Sequence, residues 1–137
     1  FDLNIRPSRW NKKNLNNFFD SVLKFVDICF LSGEDMSYWK NKNGIKSYEQ
    51  IVRKYKIKHS IFRKNAKFTY VFLNKNKYVF KNKLLKKVVD TSGAGDGFNA
   101  AYLSNFIVNN DPVLALKAGS SLGSKIVMKK GAIVDVK

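Results

Sequence analysis

"KKVVDTSGAGDGFNAAYL", Lys86–Leu103, decides how this chain is read. Val88 and Val89 run into a polar Asp-Thr-Ser, Gly93, Ala94 and Gly95 follow with almost no side chain, and then Phe98, Ala101 and Tyr102 recur at helical spacing. In open α/β sheets ligands sit at such strand-to-helix junctions, where helix N-termini offer unpaired N–H groups beyond the carboxyl ends of the strands. Gly93, Ala94 and Gly95 let a bulky anion approach the backbone, and consecutive N–H groups there predict an anion nest reinforced by the helix dipole.

Asp96, directly behind the glycines, is the residue to explain. A carboxylate adds nothing favourable to a bound phosphate, but it can take the proton of a hydroxyl that attacks one. Phosphoryl transfer depends mostly on positioning and charge compensation, so a nest beside a base approaches a minimal site for it. The bland alternative uses the glycines for a tight turn and Asp96 as a helix cap. A P-loop is not indicated, because GxxxxGK[ST] is absent.

Outward from this turn the chain alternates strands and helices. Phe1–Ile5 reads as a strand ended by Pro7, with Asp2 and Asn4 on one face; Leu15–Val26 has helical spacing, and Ile28–Leu31 is short and apolar enough for a strand buried on both faces. Ser32 suits an N-cap before Glu34 and Asp35, and Ser47–Tyr55 predicts another helix. Residues 59–63, 67–73 and 77–80 read as strands, the last two as a hairpin around "NKN". Helices are expected over 96–108 and from Pro112, behind Asp111 as cap, to about Met128. Without repeats or low-complexity linkers, residues 1–137 read as a single α/β domain or most of one.

With 45% hydrophobic residues, the chain has enough apolar material for a core, so disorder is not expected. No apolar run approaches the ~20 residues of a membrane span, and Cys29 is the only cysteine. A reduced, cytoplasmic setting without a membrane partner is therefore expected, with Cys29 as a core filler. The net charge of +16 raises nucleic-acid binding as a rival reading, centred on "NKNKYVFKNKLLKK", Asn74–Lys87. The excess is almost all lysine interleaved with asparagine, and only Arg6, Arg9, Arg53 and Arg63 offer the planar fork favoured for base and phosphate recognition. Nucleic acid is therefore not the expected partner.

"DTSGAGDGFNAAYL" resembles the DTxGAGD signature of the ribokinase-like (PfkB) carbohydrate kinases, and the likeness runs from Phe1 to near Lys137. "FDLNIRPSRW" resembles the family's "DxNxRPxLW" strand, while "GFNAAYL" and "GSKIVMKKGAI" look closer to its 2-keto-3-deoxygluconate kinases. The resemblance implies the C-terminal portion of a three-layer α/β/α sandwich that phosphorylates a sugar acid with ATP and Mg2+, most closely 2-dehydro-3-deoxygluconate at its C6 hydroxyl. Fructokinase or another sugar kinase of the family is the alternative. By the same resemblance Asp96 is the general base, and the N–H groups of Gly93, Ala94, Gly95 and Asp96 are the anion hole. Arg6 would contact a substrate carboxylate, with Asn4 nearby. Ala115, Ala118, Gly119 and Leu122 would help wall the adenine pocket. Asp90 and the carbonyl of Ser92, with the backbone near Lys129 and Gly131, match a monovalent-cation site for K+.

The pattern departs in two places. The family's metal-associated "NxxE" falls on Ser32–Asp35, leaving Asp35 as the carboxylate for water-mediated Mg2+. Its "K-x-G" turn reads Arg63-Lys64-Asn65, where asparagine is expected to adopt the left-handed backbone of the glycine. The likeness covers only the C-terminal half of such a kinase, and the chain begins at Phe1, so a piece of a longer protein is expected, its N-terminal half and lid absent and the isolated piece inactive. A degraded remnant is the further alternative, and self-association of the full-length protein stays open.

Overall fold

The structure, a computed structural model, describes residues 1–6, 8, 12–43, 47–133 and 135, without the side chains of residues 12, 13 and 40–43. The described residues form an α/β fold in two compact units, residues 1–79 and 80–137. The turn expected after Ile5 lies largely outside the described residues.

In the first unit, α1 (Lys12–Val22) continues as a 3-10 turn (Leu23–Phe25) into β1 (Ile28–Ser32); α2 (Gly33–Asn43) and α3 (Tyr48–Tyr55) precede β2 (His59–Arg63) and β3 (Phe68–Leu73). β4 (Asn76–Lys81) completes a sheet of order β1-β2-β3-β4, in which β2 runs parallel to β1 and antiparallel to β3. β3 turns into β4 through Asn74, whose φ of 56° shows why asparagine suits this position. The parallel register places Cys29 beside Ser60 and Leu31 beside Phe62. On that face Cys29 and Leu31 join Leu15, Phe19 and Leu23 from the first helical segment, Met36 and Trp39 from α2, and Ile51 from α3 in one buried cluster. Trp39 stacks on Phe19 with ring centroids 4.8 Å apart, a contact that adds to the area both rings bury. Burial pushes the Cys29 thiol up to about 12 and His59 down to about 4, so both stay neutral at pH 7, as core groups rather than nucleophile or base.

The starts of α2 and α3 have chemical reasons. Ser47 and Gln50 form a capping box at α3, with Gln50 accepting the Ser47 N–H at 3.3 Å. The α2 helix begins where Gly33 passes the β2–β3 turn so closely that a Cβ there would lie 2.2 Å from the Lys64 carbonyl oxygen. Backbone cannot yield as a flexible side-chain tip would. Gly33→Ala is therefore expected to lower the unfolding free energy by about 1–3 kcal/mol, read from urea denaturation of the full-length protein; an unchanged midpoint would contradict this packing.

Phe1–Ile5 departs from the expected strand. Only Asp2 bridges Phe30, with the Leu3 N–H donating to the Phe30 carbonyl at 3.2 Å, before Asn4 turns to φ 40°. Asp2 and Asn4 consequently do not continue one strand face: Asp2 approaches Arg63 at 3.7 Å, and Asn4 is exposed.

The second unit is an antiparallel helix pair, α4 (Ala94–Asn109) and α5 (Pro112–Val127), behind an extended lead from residue 82. Asp111 caps α5, accepting the N–H groups of Val113 and Leu114 at 2.7 and 3.1 Å, with Pro112 in the first turn. The helices approach through glycines: a Cβ on Gly119 would meet the Phe98 ring at 3.0 Å, and one on Gly97 would lie 2.1 Å from the Ile126 side chain. Val88 and Val89, expected to close a strand, form none. A strand needs a ladder partner, and the Val89 N–H instead donates to the Val127 carbonyl at 2.8 Å.

Candidate active site

The Asp90–Asp96 turn is built by its own backbone. The carboxylate of Asp90 accepts the Ser92 N–H at 2.9 Å, an Asx turn that lifts the chain into Gly93. Gly93 is the N-cap of α4 at φ 72°, and a Cβ there would sit 2.9 Å from the Ala132 carbonyl oxygen, so this position requires glycine for both backbone angle and space. The Ala94 N–H donates to the Thr91 carbonyl at 3.2 Å and the Gly97 N–H to the Gly93 carbonyl at 2.9 Å. No hydrogen bond among the described residues engages the N–H groups of Gly93, Gly95 and Asp96. Of the four N–H groups expected to bind an anion, three are thus unengaged among the described residues, and the Ala94 N–H is spent inside the turn.

Asp96 stands exposed in the first turn of α4, which has no side-chain cap. A capping carboxylate would accept the free N–H groups around it. This one accepts none among the described residues, leaving both oxygens to whatever enters the turn.

Asp90 has a second bond. Its other oxygen accepts the Gly131 N–H at 2.9 Å, joining the start of the turn to the segment just past α5. The Ser92 N–H first, then that of Gly131, hold its carboxyl below the ordinary carboxylate value.

Two other expectations meet a different arrangement. Ala115 and Gly119 are buried, Gly119 directly against Phe98, so the half-buried Ala118 and Leu122 are the ones left to face a ligand. Asp35, 4% exposed, accepts the Ile5 N–H at 2.7 Å on one oxygen, and on the other the Ser32 N–H at 2.8 Å and the Ser32 hydroxyl at 2.7 Å. The Asp35 N–H donates back to the Ser32 hydroxyl at 3.1 Å, completing a capping box around α2. A carboxylate so occupied does not fit a divalent-cation ligand, and among the described residues no group of His, Cys, Asp or Glu could hold a metal ion. In the first unit Arg6 is exposed, with no ion pair or hydrogen bond among the described residues.

Asn65 also departs from expectation. Its φ is not positive; its side-chain oxygen instead accepts the N–H groups of Lys67 and Phe68, both at 3.0 Å, so the turn is made by an asparagine side chain rather than by backbone freedom. Sequence reading passed over the Asx turn at Asp90-x-Ser92, for which that spacing is the signal, and the Gly131 bond, for which no local signal exists.

Residues 1–137 match, along their whole length, the family described as pfkB family carbohydrate kinase. The chain belongs to that family. This pfkB chain is 27% identical over 139 residues to a 2-dehydro-3-deoxygluconokinase of Haemophilus influenzae, covering 98% of the chain and 44% of the relative. It is 28% identical over 135 residues to a 5-dehydro-2-deoxygluconokinase of Bacillus licheniformis, covering 94% of the chain and 41% of that relative. Among solved structures it superposes with a TM-score of 0.80 on a fructokinase from Vibrio cholerae O395 bound to fructose, ADP and calcium, at 25% identity over 96% of this chain and 45% of the other. The pfkB chain thus spans less than half the length of the curated relatives it matches. No helix among its described residues is long and apolar enough to cross a membrane.

Proposed function

We propose that this chain is the C-terminal, nucleotide-binding and catalytic portion of an ATP-dependent sugar-acid kinase acting on 2-dehydro-3-deoxy-D-gluconate at its C6 hydroxyl. The observation that carries the reading is the Asp96 carboxylate, unengaged among the described residues, beside N–H groups that are likewise unengaged at the head of α4. Family membership and the relatives named as kinases of dehydro-deoxygluconates support the substrate class.

In this reading ATP, carrying its own Mg2+, supplies the phosphoryl group. The N–H groups of Gly93, Gly95 and Asp96 donate to its oxygens, and the dipole of the 16-residue helix α4 adds positive potential there. Asp96 takes the proton from the sugar hydroxyl as it attacks. Arg6, with no hydrogen bond or ion pair among the described residues, grips the substrate carboxylate with Asn4 beside it, through charge-assisted hydrogen bonds. Ala118 and Leu122 lie along the nucleotide. The lid and the rest of the sugar pocket come from polypeptide beyond these residues, so the isolated 137-residue chain is inactive; the whole enzyme works in the cytoplasm.

The test is phosphorylation of 2-dehydro-3-deoxygluconate, 5-dehydro-2-deoxygluconate and fructose by the full-length protein. The highest kcat/KM is expected with the first, and a preference for fructose overturns the assignment. Arg6→Ala is expected to raise the KM for the acid substrate by about 10-fold or more with kcat little changed, the signature of a lost charged contact made equally in ground and transition states. An unaltered KM would remove Arg6 from the site.

A further inference from the structure

We propose that the first unit carries a second anion site, a lysine-lined groove at the N-terminal ends of β1 and β2 that takes a small molecule bearing a run of clustered phosphate groups. None of the glycine-turn residues lines it.

The groove encloses about 500 Å³, a size that suits a small molecule. Lys24 reaches it from the 3-10 turn after α1, Lys54 and Lys56 from the end of α3, and Lys58 from the step into β2. Against these four ammonium groups stand two carboxylates: Asp27 in the groove wall, and Asp20, which holds Lys54 at 2.7 Å. Lys24, Lys56 and Lys58 make no ion pair among the described residues. Like charges gathered around a concave surface focus a positive potential into it, and a bound polyanion relieves their repulsion.

The backbone points the same way. Lys56 is the C-cap of α3 at φ 54°, a left-handed position that glycine takes at least cost, so lysine keeps its charge there against a steric preference. Complementing the negative end of the α3 dipole accounts for Lys54 and Lys56. It does not account for Lys24 and Lys58, which lie outside that helix.

The kind of anion follows from the donors. No arginine lines the groove, so the planar fork that suits a carboxylate is absent, whereas lysine binds phosphate oxygens as a point charge. A nucleic-acid strand needs a charged track several nucleotides long, and these cations meet in one depression instead. Phe25 also lines the groove, 78% exposed, with the Lys24 ammonium 5.0 Å from its ring centre. An aromatic surface thus lies beside a cation, as a nucleoside triphosphate would use it; inorganic polyphosphate is the other source of the same chemistry.

Calorimetric titration of the full-length protein with inorganic tripolyphosphate and with GTP, at ~0.15 M salt and with a non-hydrolysable ATP analogue saturating, tests the site. Saturable binding of both probes is expected. Tighter binding of GTP that falls to the tripolyphosphate value in Phe25→Ala supports the site with a nucleotide as its ligand; equal affinities support it with free polyphosphate. Lys24→Ala combined with Lys58→Ala is expected to weaken tripolyphosphate binding by about 10-fold or more. Lys56→Gly should weaken it as well, while the melting temperature of the ligand-free protein holds or rises because glycine relieves the left-handed backbone. A weaker ligand on an equally stable protein separates lost binding from lost folding.

Absence of saturable binding overturns the site. So does binding that the lysine variants leave unchanged, or that Gly93→Ala abolishes, because the phosphates then sit elsewhere.

Discussion

Replacing Asp96 with Asn is expected to lower the kcat of the full-length kinase by about 10³-fold while ATP affinity changes by less than about threefold. The separation of the two effects comes from geometry. Asp96 contributes two things to the turn: a backbone N–H, which the substitution keeps, and a carboxylate that bonds to nothing among the described residues. In the proposed mechanism, removing the carboxylate takes away only the acceptor for the substrate proton. A cap would behave differently, because its loss destabilises the helix N-terminus by roughly 1 kcal/mol and is felt in melting temperature more than in turnover. Single-turnover kinetics with a calorimetric ATP titration measure both quantities. Near-normal kcat would return Asp96 to a structural role and take the proposed mechanism with it.

Gly93→Ala is expected to be nearly as damaging by another route. The left-handed φ of 72° costs a non-glycine residue about 1–2 kcal/mol. The new Cβ would also press on the Ala132 carbonyl oxygen at 2.9 Å, a contact real Cβ atoms do not make. The turn must open, and the N–H groups of Gly93, Gly95 and Asp96 then shift from their places at the head of α4. Loss of aligned donors of this kind typically costs about 10²–10³-fold in kcat, here together with a raised KM for ATP and an unaltered KM for the sugar. If KM for the sugar rises equally, the change has spread beyond the cradle.

Much of this was legible in the sequence where a local rule decides. Residues 59–63 form the expected strand, and α5 starts at Pro112 because Asp111, directly ahead of it, supplies the cap. The glycine turn and its exposed carboxylate lie where "SGAGD" puts them, although α4 begins at Ala94, ahead of the carboxylate. Some of the features that escaped reading depend on partners far along the chain, others on local side-chain turns. Val88 and Val89 have the propensity for a strand but no ladder partner among the described residues. Asp35 was expected as a metal carboxylate because the resemblance places it in the family's "NxxE" pattern; its bond to the Ile5 N–H, across 30 positions, makes it a buried brace. Asn65 was assigned a backbone solution where its side chain supplies another.

The Gly131–Asp90 bond spans 41 positions, most of them wound into α4 and α5, so the loop it closes is short in effect. Closing it costs little more chain entropy than turning from one helix into the next. The glycine turn, the Gly93–Ala132 approach and the Asp90–Gly131 bond therefore lie within one uninterrupted stretch, residues 90–132. The parallel pair β1 and β2, by contrast, must bring residues 28 and 59 together across two intervening helices before either strand is held.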